Sequence, residues 1–188
     1  DEENQDGIRP ESIKVQLSAN GTAYGETVVL NADNKWSYTW SDLDEKKSGK
    51  DIDYTVAETS NISGYTSAIS GTAASGFTIT NTHKTEVTEV SVAKTWSDNE
   101  NQDGKRPESV SVQLYANGSA SGKAVVLNAE NNWGHTWTDL VKKNAGADVV
   151  YTVQEVGTPV GYTSAISGTA AEGFTITNTH ETSKTSIK

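Results

Sequence analysis

The heptapeptide Phe-Thr-Ile-Thr-Asn-Thr-His occurs twice, at Phe77–His83 and at Phe174–His180, 97 positions apart. Read as an extended segment, the second copy places Phe174, Ile176 and Asn178 on one face and Thr175, Thr177 and Thr179 on the other. An apolar row alternating with polar residues reads as a half-buried β-strand. The same spacing extends towards both ends without a gap. It carries NQDGIRPES at Asn4–Ser12 onto NQDGKRPES at Asn101–Ser109, Val28–Asn31 onto Val125–Asn128, and Gly64–Ser67 onto Gly161–Ser164. Residues 1–83 and 98–180 are identical at 55 of 83 positions. A repeat of this length and fidelity is a tandem duplication of one domain.

Other short segments share the period of two, among them Val110-Val112-Leu114 and Tyr151-Val153. Turn clusters such as Ala19–Gly21 and Asn31–Asn34 separate them, and no stretch sustains a helical stripe. Several strands per copy, punctuated by turns, predict an all-β chain of two tandem β-sandwich domains. The expected organisation is a first domain over 1–84, a complete second domain over 85–181, and a tail or start of a next repeat over 182–188. The polar run 84–89 reads as a linker.

Composition narrows the function. The 188 residues carry 25 acidic and 15 basic side chains, a formal net charge of −10, and no Cys or Met. An acidic surface without a Lys/Arg stripe argues against nucleic acid and anionic membrane as partners. Without Cys, disulfides and thiol chemistry are excluded, and a small extracellular domain would need another staple. No apolar run approaches the ~20 residues of a membrane-spanning helix, and no secretory signal is present. Beginning at Asp1, the chain reads as a processed or excised piece.

Three polar residues break the strand pattern. Glu89–Trp96 sets Val90, Val92, Lys94 and Trp96 on one face, so Lys94 falls in the row to be buried. Asn178 does the same in the last strand, and Glu155 follows Tyr151 and Val153 on theirs. A buried charge must be paired or chemically altered. One reading is a Lys94–Glu155 ion pair, with Asn178 hydrogen-bonded to both. The other is a reaction. Desolvation lowers a lysine pKa and raises that of a carboxylic acid, and a neutral amine is a nucleophile beside an amide carbon. A protonated Glu155 would stabilise the oxyanion and relay protons to departing ammonia. The product would be a Lys–Asn isopeptide bond, formed once and not turned over.

The run KTWSDNENQDGKRPESVSVQLYANG at Lys94–Gly118, with YTVQE at Tyr151–Glu155 and ITNTH at Ile176–His180, resembles the CnaB family. These are the B-type repeat domains of collagen adhesin, and the resemblance covers nearly all of both copies. It implies an inverse immunoglobulin-like sandwich on Gram-positive surface proteins, extracellular and at the cell wall. It further implies an intramolecular isopeptide bond from a first-strand Lys to a last-strand Asn, promoted by an acid. Those positions match Lys94, Asn178 and Glu155. The implied role is a stalk whose neighbours are repeats of the same protein, with host extracellular matrix reached through a head domain outside this sequence. The alternative is a module that itself binds matrix protein or glycan through loops or Trp rows.

In the first copy Glu58 and Asn81 match the acid and the amide, but no Lys matches Lys94. Lys14 aligns with Ser111 and lies opposite Val15 and Leu17, so it does not substitute. Either the chain is cut from a longer array, or a strand is donated between chains. The tail Thr182–Lys188 is a poor donor, because Lys184, Ser186 and Lys188 share one face. Remaining motifs read blandly. Asp98–Gly104 faintly resembles a calcium loop, but Ser109 stands where its terminal Glu belongs, so a tight acidic turn is expected. The rows Trp36-Tyr38-Trp40 and Trp133-His135-Trp137 are expected to be strand faces belonging to the core. His83 and His180 end the last strands and lack metal-ligand spacing. No metal site, cofactor loop or nucleophile–His–Asp set is expected, and so no enzyme acting on an external substrate.

Overall fold

The computed structural model describes all 188 residues. The chain forms two compact units, Asp1–Thr85 and Glu86–Lys188. It is almost entirely strand and turn, with one 3-10 turn at Glu2–Asn4. No helix is long and apolar enough to cross a membrane.

Unit two is a two-layer immunoglobulin-like sandwich. One sheet has the order Ser119–Asn128, Ser109–Ala116, Tyr151–Glu155. The other runs Gly134–Val141, Val87–Ser97, Gly173–Thr179, Thr163–Thr169. Every pairing is antiparallel except that between Val87–Ser97 and Gly173–Thr179, the first and last strands, which run parallel. Their register sets Lys94 opposite Ile176 and Trp96 opposite Asn178. The inward rows Val90, Val92 and Ile176 meet Val112, Leu114, Tyr151 and Val153 in one buried cluster. Burial of each large aliphatic side chain contributes about 1.5–3 kcal/mol. The first strand begins at Val87, within the stretch expected to be linker, because Val87 and Thr88 pair with Val141 and Leu140. The hairpin joining the last two strands needs glycine at Gly168. Its φ is +90°, and a Cβ there would lie 2.1 Å from the Gly173 carbonyl oxygen.

Unit one keeps one layer whole and the other in part. Ser12–Ala19 pairs with Thr22–Ala23 and Val28–Asn31 on one edge and with Tyr54–Glu58 on the other. In the second layer only Thr66–Thr72 and Gly76–Thr82 pair. Ser37–Leu43, which aligns with Gly134–Leu140, forms no strand. Trp36, Tyr38 and Trp40 are therefore not a strand row, contrary to expectation. Trp36 sits in a turn at φ 56°, as does Trp133, also at 56°. The cause is pairing: Gly134–Val141 has a single ladder partner, Val87–Ser97, and Ser37–Leu43 has none. Side-chain packing and ladder partners decide strand formation more than intrinsic propensity does.

Candidate functional site

Parallel pairing of the first and last strands of unit two fixes the site. Lys94 and Asn178 project from the same inward face, two residues apart in register. Lys94 is 4% exposed and Asn178 is fully buried. Glu155 comes from the opposite sheet, at the end of the strand whose Tyr151 and Val153 line the core. The Asn178 amide Nδ2 donates to Glu155 Oε1 at 2.8 Å. The three residues singled out by their faces therefore converge from three strands.

The ion pair considered above does not form. Lys94 Nζ instead donates to the carbonyls of Thr95, at 2.8 Å, and Ile176, at 3.4 Å. It also sits 3.9 Å from the centroid of the Trp96 ring. Burial lowers the Lys94 pKa to about 8, against an opposing pull from Glu155, a further push down from Arg106 and a smaller upward pull from Asp98. At pH 7 roughly one such amine in ten is neutral, far more than for an exposed lysine. Two acceptors nearby, Glu155 Oε2 and Asn178 Oδ1, are buried without a hydrogen-bond donor. Such groups are costly in a folded protein.

A roof of polar and aromatic groups covers the amine, and it was not foreseen as a unit. Trp96 packs edge-on against Trp133 and Tyr162, with centroids 5.3 and 5.1 Å away. Arg106 lies 5.5 Å from the same ring and holds Asp98 through two guanidinium nitrogens. Tyr162 donates to Asp98 at 2.8 Å, and the Asn101 amide does so at 3.0 Å. The Arg106 guanidinium holds the Asp98 carboxyl far below the usual range, with Tyr162 and Asn101 adding to it against burial. Burial and the bond to Asp98 push Tyr162 up to about 12. The DNENQDGKR stretch is thus a tight acidic turn locked by its own arginine. The repetition of Asp, Arg and Tyr in both copies was the available signal, since Asp1, Arg9 and Tyr65 make the same contacts in unit one.

His180 anchors the end of the last strand. Nδ1 meets the Gly161 carbonyl at 2.7 Å and Nε2 meets Asp103 at 3.1 Å. His83 repeats the arrangement with Gly64 and Asp6, both at 2.7 Å. Trp133 and Trp137 pack on the core of unit two and Trp40 on that of unit one, whereas Trp36 and Tyr38 stay exposed. In unit one Asn81 Nδ2 donates to Glu58 Oε1 at 3.1 Å, and Ser67 donates to Glu58 Oε2 at 2.7 Å. The acid–amide pair is therefore present in both units, and the amine in one.

Fold and site together define a tandem pair of immunoglobulin-like repeat modules, the second of which encloses a lysine of its first strand and an amide of its last with an acid from the facing sheet. The chain belongs to the Cna protein B-type domain family, whose profile matches residues 1–82 and 90–179. It is 42% identical over 187 residues to the collagen adhesin of Staphylococcus aureus, covering 100% of this chain and 15% of that protein. Among solved structures it resembles a single B repeat unit of the S. aureus collagen binding surface protein. There the identity is 42% and the TM-score 0.49, with 95% of this chain and 91% of that one covered. Two B repeat units of the same protein match at 29% identity and a TM-score of 0.54, over 95% and 72% of the chains.

Proposed function

We propose that this chain is a load-bearing stalk segment of a Gram-positive cell-wall adhesin, and that unit two is stapled by an isopeptide bond between Lys94 and Asn178. The observation that carries the reading is the enclosed cluster, in which a lysine with a lowered pKa shares a buried face with an amide already bonded to a carboxyl. In the reaction the Lys94 ammonium gives a proton to Glu155, and the neutral Nζ attacks Cγ of Asn178. Negative charge gathers on Oδ1, where the proton on Glu155 supplies a hydrogen bond. The Cγ–Nδ2 bond then breaks. Nδ2 takes up the second proton released by the amine and leaves as ammonia, with Glu155 as the relay. The step occurs once per chain, so the unit is not an enzyme in the turnover sense. Its neighbours in the parent protein are further repeats. Host matrix would be engaged by domains beyond this segment, as the relationship to a collagen adhesin suggests.

Intact mass tests the reading. The purified chain is expected to weigh one ammonia less than its sequence, and a cross-linked peptide pair containing Lys94 and Asn178 should appear after digestion. Lys94→Ala, Asn178→Ala and Glu155→Ala should each restore the full mass, allowing for the substitution. A full mass in the unsubstituted chain would overturn the proposal.

A further inference from the structure

Thr163–Thr169 ends one sheet of unit two and pairs only with its hairpin partner, Gly173–Thr179. Its other edge is open, and all seven of its residues are exposed. Ile166 stands opposite Ile176 and belongs by parity to the inward row, yet it remains 44% exposed. Unit one repeats the arrangement. Thr66–Thr72 pairs only with Gly76–Thr82, its seven residues are exposed, and Ile69 is 43% exposed. Edge strands are ordinarily guarded by lysine, proline or a bulge. The segment Thr-Ser-Ala-Ile-Ser-Gly-Thr carries no charge and no proline, and its ladder has no register shift in either unit.

Packing does not account for this sequence. Exposed strands of duplicated domains are free to diverge, and on an edge of the other sheet they have: 22–27 and 119–124 differ at four of six positions. Even the core strand Ser12–Ala19 differs from Ser109–Ala116 at three of eight. Thr66–Thr72 and Thr163–Thr169 are identical. The segment also matches itself in reverse. Antiparallel pairing of two copies about Ile166 sets Ile166 against Ile166, Ala165 against Ser167, Ser164 against Gly168 and Thr163 against Thr169. Small residues then face small ones, hydroxyl faces hydroxyl, and the two isoleucines cover each other. No like charges meet, in a chain whose formal net charge is −10. We infer that Thr163–Thr169, and Thr66–Thr72 by the same sequence, is a docking edge for a second copy of this chain, which adds its own edge strand antiparallel with isoleucine opposite isoleucine. The contact is isologous and joins two sheets into one. A seven-residue edge is small against the roughly 1,200 Å² of a stable complex, so each contact is weak and aligns chains that are already held close together. It is independent of whether Lys94 and Asn178 are joined.

The chain has no cysteine, so single cysteines report the register. With the edge of unit one blocked by Ile69→Lys, the variants Thr163→Cys, Ala165→Cys, Ile166→Cys, Ser167→Cys and Val160→Cys are each held concentrated in a glutathione redox buffer. Val160 is 95% exposed and lies outside the strand, so it measures random collision. Directly opposed residues of an antiparallel pair come within disulfide reach, so Ile166→Cys should give about tenfold more linked dimer than Val160→Cys. Thr163→Cys, which faces the far end of the partner strand, should give no more than Val160→Cys. A yield at Ile166→Cys no greater than at Val160→Cys, or a maximum at another position, overturns the inference. Sedimentation equilibrium supplies the second measurement. The mean mass of the native chain should rise above 20.1 kDa with concentration, and Ile69→Lys combined with Ile166→Lys should hold it there. The two lysines bring the formal net charge from −10 to −8 and so relax general repulsion. Loss of association therefore reports the edge, and association undiminished in the double variant, or absent from the native chain, overturns the inference.

Discussion

Lys94 is held where an ammonium is poorly solvated, among Trp96, Ile176 and the Thr95 carbonyl, and its folded-state pKa of about 8 carries a stability consequence. In Asn178→Ala, where no bond can form, the amine stays titratable. Between pH 8 and 10 the unfolded chain, with an ordinary lysine pKa near 10.4, binds more protons than the folded one. Stability of unit two in that variant should therefore rise with pH across this window, by denaturant titration, and adding Lys94→Met should flatten the slope. Above pH 10 the raised Tyr162 acts with the opposite sign, since its phenol ionises more readily when unfolded. A flat or falling profile from 8 to 10 would contradict the burial argument. Tyr162 itself contributes a bond to a buried carboxylate. Tyr162→Phe in the same uncross-linked background should cost about 2 kcal/mol, read as a lower denaturation midpoint with unchanged slope.

At the level of elements, the ends of the last strands are tied down by histidine. The Gly64 carbonyl and the Asp6 carboxylate are both acceptors, so His83 donates from both ring nitrogens, which requires the imidazolium. The bond to Asp6, then that to Gly64, raises the His83 pKa against burial. This contribution is complete below the unfolded value near 6.5 and disappears as pH rises through the higher folded value. The melting temperature of unit one should accordingly fall as pH rises from below 6.5 through the raised folded-state value, and His83→Gln should abolish that fall. The strand faces were legible in sequence because period two is strict: Val90, Val92, Lys94 and Asn178 are buried as their parity requires. Parity also selected Glu155, although nothing local says which sheet carries it. The conformation of Ser37–Leu43 was not legible, because its near-copy Gly134–Leu140 is a strand only by virtue of a partner elsewhere in the chain. Nor was the Asp98–Arg106–Tyr162 lock, whose members are joined only by the turn and the long return of the chain. Hydrogen exchange should register the difference: amides of Gly134–Val141 protected, those of Ser37–Leu43 exchanging at close to free rates.

For the whole molecule, what matters is the path of tension along the chain. In unit two the proposed bond joins a residue near the entry of the chain to one near its exit, so the enclosed segment of roughly 85 residues lies off the load path. With that bond in place, a force applied to the chain would pass from the first strand through the Lys94 and Asn178 side chains to the last, and the enclosed segment would be spared it. By analogy with a disulfide closing a loop of this size, the bond should add about 4 kcal/mol to the stability of the unit. Unit one has no such bypass within its own strands and retains a smaller buried cluster, Ile13, Val15, Leu17 and Val56. Pulled from its ends, the native chain should thus show one unfolding event, at low force, from unit one. Lys94→Ala should add a second event, releasing the enclosed segment, about 300 Å of contour at ~3.5 Å per residue. If the native chain already gives that second extension, tension is not routed through Lys94 and Asn178, and the stalk would rely on its sheets alone.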